Sequence, residues 1–129
     1  MTVNELLKAA RDLTRYSDPT TGGRWPRAAA LLGRQALERT LDQFWAKTAR
    51  GVENCSAKAQ FLCLRRYLGD EELAERAWFA WSALSRACHH HVYELAPTVD
   101  ELTRWLEDVE AFVSATDFVA RAPAEITRE

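Results

Sequence analysis

The chain has 129 residues, 47% hydrophobic and 28% charged, ordinary proportions for a soluble globular domain that exclude disorder, collagen-like repeats and a multi-domain reading. A chain of this length buries roughly two thirds of its unfolded surface on folding, enough for one domain over 1–129 without a staple. Only five Gly and four Pro occur, which favours long helices over many short strands. The net charge of −2 hides an asymmetry: residues 1–66 hold 12 Lys and Arg against 6 Asp and Glu, while 67–129 hold 5 against 13. The basic half suits phosphates and the acidic half repels them, so nucleic acid is expected to bind on one side only. Mutual attraction of the two halves, or of two subunits, is the competing reading.

The first helix opens at Thr2-Val3-Asn4-Glu5, a capping-box spacing, and carries Leu6, Leu7, Ala10 and Leu13 at helical intervals. Pro19 predicts its end near Asp18, and a loop follows through Arg24. The second helix starts at Pro26 and runs through Ala29, Leu32, Ala36, Leu37, Leu41, Phe44 and Trp45 to a stop at Gly51. A short third helix holds Phe61, Leu62, Leu64 and Leu68 and ends at Gly69, with Asp70 capping the fourth. The fourth shows Leu73, Ala74, Ala77, Trp81, Leu84 and Cys88 on one face and runs into His89-His90-His91. After Pro97, the spacing Thr98 to Glu101 repeats the capping box before the last helix, with Leu102, Trp105, Leu106, Val109 and Phe112 on its apolar face. A polar tail begins at about 121. The predicted fold is all-α: an up-down bundle of four main helices plus a short one.

Cys55, Cys63 and Cys88 form an odd set without Cys-x-x-Cys spacing, which predicts free thiols. No signal peptide or membrane span is read, so a cytoplasmic location is expected. Cys88 lies on the Trp81 and Leu84 face, which predicts burial rather than nucleophilic use.

The segment from Ser85 to Tyr93 concentrates residue types that carry chemistry. On a continuous helix three successive His point about 100° apart and do not converge on one metal, so no metal and no cofactor are expected. Arg86 and His91 stand about 140° apart on such a helix, while Arg86, His90 and Tyr93 share a side. Arg86 and His91 meet only through a helix irregularity or across two subunits. If they meet, His moves protons near neutral pH and Arg holds a phosphate. His89 and His90 alternatively form a solvated edge, and His90 alternatively pairs with Arg86.

The pattern Arg86, four residues, His91, one residue, Tyr93 resembles the Arg-x4-His-x-Tyr signature of the HEPN superfamily. The stretch Ala28 to Glu38, with Arg34-Gln35-Ala36-Leu37-Glu38, is similar to a helix common in that superfamily. The resemblance implies a compact helical bundle, a homodimer, and metal-independent cleavage of RNA by Arg86 and His91 across the interface. It implies a toxin or defence component in which Tyr93 is modified by a partner nucleotidyltransferase antitoxin, with Glu38 orienting the His or Arg. Position 87 holds Ala where active members commonly carry Asn, Asp or His. The alternative expectation is a catalytically silent module that uses the same groove for RNA, a nucleotide or a protein partner. A purely structural dimerisation bundle is the third.

Overall fold

The computed structural model describes residues 1–15, 25–89 and 96–120, with side chains to Asp117. Among the described residues five α-helices follow one another: α1 (Val3–Arg15), α2 (Trp25–Thr48), α3 (Ala57–Leu68), α4 (Glu71–Cys88) and α5 (Val99–Ala120), with a 3-10 turn at Val52–Asn54. The described residues contain no strand. The expected all-α bundle is what the chain forms.

Local chemistry sets the helix ends. Thr2 Oγ1 accepts from the Glu5 N–H at 3.1 Å. Thr98 Oγ1 accepts from the Glu101 N–H, and Glu101 Oε1 accepts from the Thr98 N–H, both at 3.1 Å, so both expected capping boxes bring hydroxyl and carboxylate together. Asp70 Oδ1 takes the Leu73 N–H at 3.0 Å. Ser56, whose capping role the sequence reading passed over, takes that of Ala59 at 3.2 Å. Gly69 closes α3 with φ +74°, and Gly51 follows α2 with φ +103°. Both conformations are costly for residues bearing a Cβ.

Helix α2 is the axis of the bundle, packing against α1, α4 and α5, while α3 lies outside against α4. Leu37, Leu64, Leu84, Leu102, Leu106, Val109, Phe112 and Trp45 are all less than 2% exposed and form the centre of the core. Each such side chain contributes about 1.5–3 kcal/mol on leaving water. At Gly33 the bundle is tightest: a Cβ there would lie 2.7 Å from Leu106 Cδ2 and 3.5 Å from both Leu84 methyls. The absence of a side chain lets α2, α4 and α5 approach closely.

The charge asymmetry is partly spent inside the chain. Arg11 of α1 pairs with Glu110 of α5, and Arg65 of α3 reaches Glu75 at 2.5 Å and Glu71 at 3.5 Å on α4. Basic groups of the first half thereby meet acidic groups of the second, as the competing reading expected. Within the second half, Arg76 donates twice to Asp108 Oδ1, at 2.7 and 3.0 Å. These exposed pairs add little stability individually.

Candidate functional site

Arg86 stands in the last turn of α4 and is exposed to solvent. Among the described residues it makes no ion pair. A cation in this turn also complements the partial negative charge of the helix C-terminus. The helix ends at Cys88, with His89 as its C-cap (φ −105°, ψ 25°). His90, His91 and Tyr93 lie outside the described residues, as do the loop before α2 and the tail from 121.

Glu38 is on α2, one turn beyond Arg34. Its Oε2 accepts from Arg34 Nε at 3.4 Å and from the indole N–H of Trp81 at 3.3 Å. The Arg34 guanidinium also stands over the Trp81 ring, 5.8 Å from its centroid, close enough for a cation–π contribution. Among the described residues, then, Glu38 joins Arg34 and Trp81 and leaves Arg86 without a carboxylate. The role of Trp81 is missing from the sequence reading because it is 43 residues from Glu38 and local spacing carries no trace of the pair.

The seam continues along α4 through Ser85 and Cys88, which follow Trp81 at i+4 and i+7 and so share its side. The Ser85 hydroxyl is closed off from solvent and has no hydrogen-bond partner among the described residues. Cys88 is buried, as expected. Burial pushes its thiol pKa up, and the neighbouring charges of Arg34 and Arg27 pull the other way. The net direction is upward, which keeps the sulfur protonated and unreactive. Cys88 nevertheless reports position: the C-terminal end of α4 sits beside the first half of α2, in the field of Arg27 and Arg34. Ala87 is only 7% exposed and belongs to the core, so position 87 faces inward.

Next to Glu38 a pocket of about 280 Å³ is lined by Asp42, Glu53, Gln60 and Trp81. Desolvation, then the charges of Glu38 and Glu53, hold the Asp42 carboxyl above its ordinary pKa. A folded-state pKa above the unfolded one means that ionised Asp42 costs stability at neutral pH and that the cost vanishes as pH falls below the usual carboxylate range. Asp42 is exposed, so solvent screens most of this effect; Asp42→Asn is expected to raise the melting temperature by no more than about a degree at pH 7 and to leave it unchanged at pH 3, checked by thermal denaturation at both.

A larger cleft, about 450 Å³, lies at the other half of α2, against the start of α1 and the end of α5, and is lined by Arg39, Lys47 and Thr116 among others. Arg86 is not part of it. Among the described residues no group of three His, Cys, Asp or Glu is arranged to hold a metal ion. No described helix is long and apolar enough to cross a membrane. All three cysteines are free thiols. No protein-family model, curated protein or solved structure matches the chain.

Proposed function

We propose that the chain is a metal-independent endoribonuclease of the HEPN type, working as a cytoplasmic homodimer in a toxin or defence system. The observation that carries this reading is the state of Arg86: exposed, at the end of α4 immediately before the His cluster, and without a carboxylate partner among the described residues while Glu38 is held by Arg34 and Trp81. An Arg so placed is available to a phosphate. Of the two acidic groups that would make Arg86 a structural partner instead, Glu38 joins Arg34 and Trp81 and Glu94 lies outside the described residues.

In the proposed reaction a ribose 2′-OH attacks the adjacent phosphorus. The P–O2′ bond forms, the P–O5′ bond breaks, and the charge that develops on the phosphoryl oxygens is met by Arg86. His91 removes the 2′ proton, and His91 of a second copy returns a proton to the departing 5′ oxygen. The internal nucleophile and the two imidazoles supply each proton transfer, so no metal is required by the chemistry. Tyr93 is the proposed target of a nucleotidyltransferase partner. His90 stands beside His91 as the alternative imidazole.

A catalytically silent module that binds RNA, a nucleotide or a protein is the second reading, and one observation favours it. Ala87 faces the core, so position 87 supplies no polar group beside Arg86. The two readings separate on product chemistry. With an RNA oligonucleotide the enzyme is expected to yield a 2′,3′-cyclic phosphate end, and a 2′-deoxy substitution at the cut position is expected to block that cut alone. Mass spectrometry of the products decides it. A persistent cut at the deoxy position overturns the proposed mechanism, and intact RNA throughout favours the silent module.

A further inference from the structure

The outward side of α4 carries a second feature beside Arg86. Phe79 is 57% exposed, an unusual state for a large aromatic side chain. At 100° per residue, positions 79, 82, 86 and 89 fall within an arc of about 80°. Phe79, Ser82, Arg86 and His89 therefore share one side of the helix, and Phe79, Arg86 and His89 are exposed. One strip thus presents an aromatic ring, a hydroxyl, a guanidinium and an imidazole in order toward the end of the helix.

Among the described residues the ring of this strip has no stacking partner and its guanidinium no ion pair. Trp78, the adjacent aromatic residue, stacks on Trp81 with ring centroids 5.6 Å apart and meets Phe61 of α3 at 5.2 Å; Phe79 makes no ring contact of this kind among the described residues. At the other end of the strip Glu75 pairs with Arg65 and Arg76 with Asp108, while the exposed Glu72, seven residues before Phe79 and on the same side, makes no ion pair among the described residues. Among the described residues the nearest cation on α4 without an ion pair is Arg86, two turns beyond Phe79, about 10 Å along the axis, a gap that a long Arg side chain shortens to the reach of one nucleotide.

We propose that Phe79 is the stacking platform for an RNA base whose neighbouring phosphate is held by Arg86, with Ser82 and His89 lining the path between them. This rests on the RNA reading above and adds the binding subsite to it. A flat apolar ring next to a cation fits single-stranded nucleic acid, where every base offers a face to stack and every linkage a charge to pair. A protein partner for this strip would have to leave the guanidinium of Arg86 and the imidazole of His89 matched by carboxylates.

The test is fluorescence anisotropy with a labelled single-stranded 2′-O-methyl RNA, which binds but lacks the nucleophile for cleavage. Phe79→Ala is expected to weaken binding about tenfold, Phe79→Trp to restore it, and both to melt and elute as the wild type does. Unchanged affinity of Phe79→Ala overturns the proposal. So does a change in its oligomeric mass by light scattering, which would make the strip a contact between protein chains. Wild type that binds this RNA through Phe79 but never cleaves unmodified RNA leaves the subsite standing while the nuclease reading fails; wild type that binds no RNA ends both.

Discussion

Replacing Arg86 by alanine is expected to lower RNA cleavage about 10²–10³-fold while moving the melting temperature by no more than about 2 °C. The large kinetic effect follows from the proposed role: a guanidinium opposite the developing phosphoryl charge acts on the transition state more than on bound substrate. The small thermal effect follows from position. Arg86 is exposed and unpaired among the described residues, so its removal breaks no contact within the described structure. Arg86→Lys is expected to recover only part of the rate, since an ammonium keeps the charge but not the two-pronged contact with phosphate. Single-turnover cleavage rates and thermal melts of the three proteins check this. A drop in melting temperature of 10 °C with Arg86→Ala would mark Arg86 as a structural residue instead.

Trp45→Ala is expected to cost about 3–5 kcal/mol, a large share of the stability of a domain whose total is about 5–15 kcal/mol. Trp45 is fully buried and makes edge contacts with Phe44 at 5.0 Å and Tyr67 at 5.6 Å. Its indole N–H donates to Gln60 Oε1 at 3.1 Å, and Gln60 Nε2 donates in turn to the carbonyl oxygens of Cys55, at 2.9 Å, and Glu53, at 3.2 Å. One side chain thus ties α2 to α3 and to the 3-10 turn between them. Truncation leaves both a cavity and an unpaired amide oxygen. Trp45→Phe keeps much of the volume and loses the donor, so about 1–3 kcal/mol is expected. Urea denaturation midpoints measure both. Since α3 braces the aromatic side of α4 through Phe61 and Trp78, loss of Trp45 is also expected to loosen the helix that carries Arg86.

Local signals carried most of the helix boundaries. Thr2 with Glu5, Thr98 with Glu101, and Asp70 are legible because a cap and its N–H partner lie within three residues, and Gly69 because the conformation it adopts is one other residues avoid. The apolar stripe of α5 was equally plain, and Leu102, Leu106, Val109 and Phe112 all lie in the core. Where the sequence reading failed, the cause was distance or a weak local signal. The contacts Trp81 to Glu38 and Trp45 to Gln60 join residues 43 and 15 apart, and nothing in the spacing of either chain segment selects them. α4 reaches the His cluster, as its stripe predicts, and is capped at His89; the rest of the cluster lies outside the described residues. The exposed face of Phe79 was visible only as one aromatic too many on the helix; which side it occupied depended on α3 covering Trp78 and not Phe79.

The site divides in the same way. Arg86, as one residue on a helix face, could be placed from its spacing to Leu84 and Cys88. The role assigned to Glu38 rested on resemblance, and in the fold Glu38 turns to Arg34 and Trp81. His90, His91 and Tyr93 lie outside the described residues, so the proposed roles of all three pass directly to experiment.

The most direct measurement is incubation of total RNA with the purified wild type, Arg86→Ala and His91→Ala in the presence of EDTA, with cleavage read on a denaturing gel. A ribonuclease that uses this motif without metal degrades RNA as wild type and leaves it intact when either residue is replaced. Intact RNA with folded wild-type protein, or equal degradation by all three, would contradict it.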